Sequence, residues 1–168
     1  MKRFLLVLCY IVSLFISGCD QGDTPPKLQR DFDGVVTVEN GDAQFEDFCL
    51  MAEISVCNLS QTEITLVSPH QLKGLSYIWD EGFEMVYLDL HCKTETNYLP
   101  EFSFAQGIYN VLKSLRKNNK ATHSQDNNWL FEGKCESGEY KVLADDRGYI
   151  KNISIEEINL SVNFEYNE

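Results

Sequence analysis

The chain has few histidines, few basic residues and no long apolar run, and each shortage closes off a class of function. His70, His91 and His123 are its only imidazoles, and no two cysteines stand in CxxC spacing. A zinc site needs clustered thiolates and imidazoles, so no metal is expected. His91 and Cys92 are adjacent, but on a strand their side chains would point to opposite faces. GxSxG, a phosphate-binding loop and HExxH are missing too. FEGKCESG (Phe131 to Gly138) holds Gly and Lys, yet it reads as strand, turn, strand with no helix behind it. No enzyme activity and no cofactor are therefore expected. Lys and Arg number 14 against 26 Asp and Glu, a net charge of −12. Such a surface repels phosphate backbones and anionic headgroups, which argues against nucleic acid and against a polybasic membrane contact.

The longest apolar stretch, Phe4 to Ile16, is 13 residues and is interrupted only by Ser13. A spanning helix needs roughly 18–20 apolar residues, whereas this is the length of a signal-peptide core. Lys2 and Arg3 precede it, and the small residues Ser17 and Gly18 follow. Cys19 stands directly after Ile16-Ser17-Gly18, which resembles the lipobox of bacterial lipoproteins, with Ile16 where Leu is usual. The resemblance implies diacylglycerol transfer to the Cys19 sulfur, cleavage before it, and a new amine open to a further acyl chain such as palmitate. A thiol suits that role as the strongest side-chain nucleophile, and two or more acyl chains anchor durably where one does not. The expectation is a signal peptide at 1–18 and a chain held through Cys19 on the extracytoplasmic face of the cytoplasmic membrane. Asp20 resembles the inner-membrane retention signal of Gram-negative lipoproteins. Residues 19–31 read as lipidated terminus and flexible tether: Asp20 to Arg30 is polar, carries Pro25 and Pro26, and extends to roughly 36–40 Å at most.

Loss of residues 1–18 removes Lys2 and Arg3 and no acid, so the mature chain carries 12 basic against 26 acidic residues, net −14. Lipid, not charge, must hold it to the membrane. Residues 32–168 suit one domain, and the 43% hydrophobic content of the whole chain suits a packed core.

Period two dominates beyond the tether. Val36 and Val38 alternate with Val35 and Thr37. Phe48, Leu50, Ala52, Ile54 and Val56 alternate with Asp47, Cys49, Met51, Glu53 and Ser55, predicting one long half-buried strand. Asn58 to Gln61 is turn chemistry, Glu63 to Val67 another strand, and Leu75 to Trp79 leads into the turn Asp80-Glu81-Gly82. Val86, Leu88 and Leu90 then alternate with Met85, Tyr87 and Asp89. Short turns between such strands predict an antiparallel meander. One segment breaks the rule: Phe104, Ile108, Val111, Leu112 and Leu115 recur at helical spacing. Ser103 and Gln106 can form a capping box, and Lys113, Arg116 and Lys117 suit the helix's last turn. This predicts a helix at about 103–117 lying on a sheet. Trp129 to Glu136, Tyr140 to Ala144 and Ile158 to Tyr166 return to period two, with turns at Ser137-Gly138 and at Asp145 to Gly148. The acid pairs Asp145-Asp146 and Glu156-Glu157 fall at turns and read as solvated surface. The fold class expected is α+β, mostly β: a curled antiparallel sheet, an incomplete β-barrel, of about eight or nine strands with one capping helix.

Besides Cys19, the mature chain has Cys49, Cys57, Cys92 and Cys135, and an exported protein meets conditions that allow disulfides. On one continuous strand Cys49 and Cys57 would lie roughly 26 Å apart, too far to bond. Cys92 and Cys135 share parity with inward-facing residues, so a Cys92–Cys135 bond is possible; buried free thiols are equally acceptable.

The order of long hairpins, a single helix past the middle and a closing meander is similar to the lipoprotein-carrier family of LolA-like half-barrels, and looks closest to Gram-positive lipoproteins of that fold. SPHQLKGL (Ser68 to Leu75), Trp79-Asp80-Glu81-Gly82, LPEFSFAQGIYNVL (Leu99 to Leu112), NNWLFEG and SGEYKVLADDRGYIKNISI carry the likeness, which runs from about Phe32 to Tyr166. It implies a concave apolar face, capped by the helix, able to hold acyl chains. Ile54, Val56, Leu88, Leu90, Phe104, Ile108 and Leu112 would line that cavity. The carriers of the family are soluble and shuttle, whereas Cys19 anchors this chain, so the fold carries over and the shuttling does not. The function expected is a membrane-anchored binding module for an apolar ligand, either lipid or the acyl part of another lipoprotein. The alternative is a non-enzymatic cell-envelope scaffold that recruits a protein partner through a sheet edge or an acidic face.

Overall fold

The computed structural model describes residues 25–40, 49–95, 99–100, 103–117, 120–123 and 128–166. The signal segment and Cys19 lie outside the described residues. Eleven strands form one antiparallel sheet: β1 (Phe32–Asn40), β2 (Cys49–Cys57), β3 (Gln61–Ser68), β4 (Ser76–Trp79), β5 (Phe83–Tyr87), β6 (Leu90–Thr94), β7 (Ala121–His123), β8 (Trp129–Cys135), β9 (Gly138–Ala144), β10 (Ile150–Ile155) and β11 (Leu160–Tyr166). Their order is β6-β5-β4-β3-β2-β1-β11-β10-β9-β8-β7, so the pairing of β1 with β11 joins two meanders, and β6 and β7 are the edges. The helix α1 (Phe104–Leu115) connects β6 to β7 in the chain. Mostly β with one open sheet and one helix is the expected class; the strand count is higher than expected.

Contacts of the helix require the sheet to curl. Tyr109 of α1 stacks on Trp79 of β4, while the Ser114 hydroxyl donates to the Lys134 carbonyl of β8 at 3.4 Å. Those strands are seven places apart in the sheet. At about 4.8 Å per strand a flat sheet would separate them by ~34 Å, and a helix is only about 10–12 Å thick. One helix reaches both because the sheet wraps round it.

Alternation decides which face it wraps. Along β2 every second residue is buried, and Leu50, Ala52, Ile54 and Val56 point inward. Val36 and Val38 of β1, Ile64 and Leu66 of β3, Tyr140 and Val142 of β9, and Val162 and Phe164 of β11 continue the inner face. The helix adds Ala105, Ile108, Val111, Leu112 and Leu115, all nearly or wholly inaccessible. Gly107 lets the helix come close: a Cβ there would press on the side chains of Leu160, Ile158 and Ile155. Half of the expected capping box forms: Ser103 Oγ accepts from the Gln106 N–H at 3.3 Å, while the Ser103 N–H donates to the Pro100 carbonyl at 2.9 Å and the Gln106 amide donates to Asn110.

Four expectations are corrected. The alternation from Val86 to Leu90 belongs to two strands, not one, because the chain reverses at Leu88-Asp89 and Tyr87 pairs with Leu90. That turn and the short β7 account for the extra strands. The phase also inverts: Met85 lies opposite Tyr77, whose ring meets Phe104, so Met85 and not Val86 faces the helix side. Ile158 sits in a 3₁₀ turn (Glu156–Ile158) ending at Asn159, with φ 48°, rather than in the last strand. Residues expected to be tether already belong to the domain, since Leu28 is buried and the Gln29 N–H donates to the Gly148 carbonyl at 2.9 Å. A buried apolar anchor outweighs the polar, proline-bearing composition around it.

Candidate functional site

Five of the seven residues expected to line an apolar cavity do converge. Ile54 and Val56 from the sheet meet Ile108 and Leu112 from the helix in one hydrophobic core, with Phe104 half-buried at its margin. Ile108 and Leu112 have no accessible surface. Their stripe fills the concave face, so it packs as core. Leu88 and Leu90 do not join them: they are 76% and 72% exposed, on the β5–β6 turn and at the start of the edge strand. The reason is the reversal at Leu88-Asp89, which carries both beyond the helix's reach.

Beside the core, an open groove of about 570 Å³ runs between α1 and the β4–β5 turn. Trp79, Phe83 and Leu99 give it apolar wall, and Tyr109 stacks on the Trp79 indole with centroids 4.7 Å apart and planes 10° from parallel. Two amides from the helix also line it: Gln106 Nε2 donates to Asn110 Oδ1 at 2.8 Å, and Asn110 Nδ2 donates to Ser137 Oγ at 2.9 Å. These polar side chains are buried, and the chain of bonds satisfies them where desolvation would otherwise be costly. Asp80, Glu81, Glu95 and Glu136 surround the groove, and Lys113 reaches over the Tyr109 ring and toward Glu136. Its chemistry is aromatic and hydrogen-bonding with an acidic rim. Neither periodicity nor motif pointed to it; Gln106 and Asn110 as an i, i+4 amide pair were the only available signal.

All four described cysteines are free, so of the two states left open for Cys92 and Cys135 the structure has the unbonded one. Cys92 lies exposed on edge strand β6, whereas Cys135, at the end of β8, is half-buried against the margin of the core. Burial pushes the Cys135 thiol pKa up. Cys49 and Cys57 stand at the two ends of one unbroken strand on its outer side, so the strand that forbids their bonding is present. Cys57 has a raised pKa because its thiol hydrogen-bonds the Asp31 carboxylate, with lesser contributions from burial and the charges of Asp31 and Asp80.

Two acids expected to be plain solvated surface do structural work instead. Asp145 Oδ1 accepts from the Arg147 and Tyr149 N–H groups at 3.0 and 2.8 Å, closing the β9–β10 turn. Glu157 accepts from the Glu139 N–H at 2.8 Å, and that bond lowers its pKa. Among the described residues no group of three or more His, Cys, Asp or Glu side chains could hold a metal ion, and no helix is long and apolar enough to cross a membrane. The chain matches no protein-family model and no curated protein.

Proposed function

We propose that this chain is a bacterial lipoprotein, anchored through Cys19 on the extracytoplasmic face of the cytoplasmic membrane. Its domain resembles the LolA-like half-barrels and works without catalysis, as a cell-envelope scaffold that recruits a protein partner. The observation that carries this reading is the filled interior: the stripe of Ile108, Val111, Leu112 and Leu115 occupies the concave face that a carrier would leave open for acyl chains. Recognition is thereby moved to the outside, where the acidic-rimmed groove and the two sheet edges lie.

A second reading, an apolar-ligand module, draws support from Met85 and Leu90, which share the inner face of β5–β6 and are left partly or largely uncovered. Mass spectrometry of lipid extracted from the purified protein separates the two. The scaffold reading expects only the acyl groups covalently bound at Cys19. Stoichiometric free lipid would establish the ligand module. The anchor is tested by Cys19→Ala, which should leave an uncleaved precursor without acyl label; normal labelling of that variant would end the lipoprotein reading.

A further inference from the structure

We propose, resting on the scaffold reading, that the groove between α1 and the β4–β5 turn receives an extended, arginine-bearing segment of the protein partner. Charge and an unmet hydrogen bond, each seen independently, describe that segment.

Among the described residues the carboxylates of Asp80, Glu81, Glu95 and Glu136 line the groove against one ammonium, that of Lys113. Glu81 and Glu95 have no ion-pair partner among those residues. The excess is negative, so the complementary surface is cationic. Lys113 displays the binding mode within the chain itself: its Nζ lies 5.7 Å from the centroid of the Tyr109 ring and 3.9 Å from the Glu136 carboxylate. That resident cation is weakly held. Both partners of the pair are substantially exposed, and such a contact contributes little. A guanidinium suits the same place better, because it is planar, stacks on an aromatic face and offers carboxylates a fork of N–H donors. At about 570 Å³ the groove falls within the roughly 300–1,000 Å³ range of ligand sites.

Trp79 supplies the second observation. It lines the groove and is 3% exposed, yet its indole Nε1–H has no acceptor. Buried donors are nearly always paired. Lysine and arginine side chains carry donors only, so a bare cation would leave this N–H unmet. The backbone carbonyl beside such a side chain would meet it. A cation for the rim and a carbonyl for the indole together describe a peptide rather than a free amine.

A nuclear magnetic resonance titration of the isotope-labelled full chain, purified from membranes in detergent, with the peptide acetyl-Gly-Arg-Arg-Gly-amide tests the proposal. Trp79 and Trp129 give the two indole N–H signals, which Trp129→Phe assigns. At millimolar peptide the Trp79 signal is expected to move downfield, as an indole N–H does on gaining an acceptor. The citrulline analogue keeps the shape without the charge and should bind about tenfold more weakly. Agmatine keeps the guanidinium without the carbonyl and should leave the Trp79 signal in place. Glu81→Gln should weaken peptide binding about threefold, and Lys113→Gln, which removes the resident cation, should tighten it by a similar factor. Both side chains are exposed, so neither change threatens the fold, and a gain of affinity cannot come from misfolding. The proposal is overturned by a Trp79 signal that stays put with peptide or moves equally with agmatine. Equal binding of the two peptides, or parental affinity in both variants, overturns it too. In each case the scaffold reading stands with recruitment left to the sheet edges, whereas free lipid in the purified chain would remove both.

Discussion

Trp79 and Tyr109 stack face to face, 4.7 Å between ring centroids and 10° between planes, and so join the sheet to the helix it encloses. Trp79 is 3% exposed and also packs against Phe83 at 5.3 Å. Trp79→Ala should cost about 3–5 kcal/mol, the range for a buried aromatic. A double-mutant cycle with Tyr109→Ala should show a coupling of about 0.5–1.5 kcal/mol, the part due to the ring pair itself. Urea denaturation of the four proteins measures both. Additive losses would mean the rings are neighbours without mutual stabilisation.

Leu88 has φ 54° and 76% of its surface exposed. A leucine there bears the left-handed strain, about 1–2 kcal/mol, with little burial to offset it. Leu88→Gly and Leu88→Asn should both stabilise the fold, by about 0.5–1 kcal/mol, and raise the melting temperature by roughly 2–4 °C. Differential scanning calorimetry decides the sign. A lower melting temperature in both variants would show that the exposed side chain contributes contacts worth more than the strain.

Cys57 is poised by Asp31, whose carboxylate accepts the thiol hydrogen bond and favours the protonated form. Alkylation proceeds through the thiolate. Replacing Asp31 by Asn should therefore lower the Cys57 pKa and speed its reaction with iodoacetamide at pH 8, and the pH–rate profile should move to lower pH. Peptide mapping of the labelled protein reads the Cys57 rate separately from the other thiols. An unmoved profile would remove Asp31 as the cause.

Gly148 has φ 86°, and a Cβ at that residue would collide with the Lys27 carbonyl. Its own carbonyl holds the Gln29 N–H, and the Gln29 amide donates to Arg147 at 3.1 Å. Gly148→Ala should cost about 1–2 kcal/mol from the backbone conformation alone, and should also release the segment around Leu28. Limited trypsin digestion should then cut after Lys27 and Arg30 faster than in the parent, before the domain itself unfolds. Cleavage at parental rate would separate the turn from the docked segment.

Much of this fold is legible in the chain because burial on one side only writes period two directly. The nine residues from Cys49 to Cys57 read as they fold, and so do the stripe and cap of the helix. Leu88-Asp89 was not legible: the turn has neither Gly nor Asn, and Leu90 continues the apparent alternation across it. Taken as one strand, the segment has β5 inverted and two leucines in a cavity they never enter. Leu59 was missed inside a polar turn, where it is 2% exposed with φ 51°, its N–H bonded to the Arg30 carbonyl. The groove was invisible for a different reason. Trp79, Gln106 and Tyr109 come together only through the curl of the sheet, and no local pattern encodes that curl.

Leu112 distinguishes a filled interior from an open one. It has no accessible surface and lies in the stripe that faces the sheet. In a close-packed core, Leu112→Ala leaves a cavity and should cost about 2–5 kcal/mol. Leu112→Trp has nowhere to place the added ring and should cost about 1–3 kcal/mol or more by forcing neighbours off their rotamers. An open groove would answer differently: Ala would cost little, and Trp would occupy existing space at no loss. Both variants are therefore expected to unfold at lower urea, with the slope of the transition unchanged because the surface exposed on unfolding is nearly the same. Tolerance of Trp together with loss of co-purifying lipid would return the concave face to ligand binding, and the scaffold reading would fall with it.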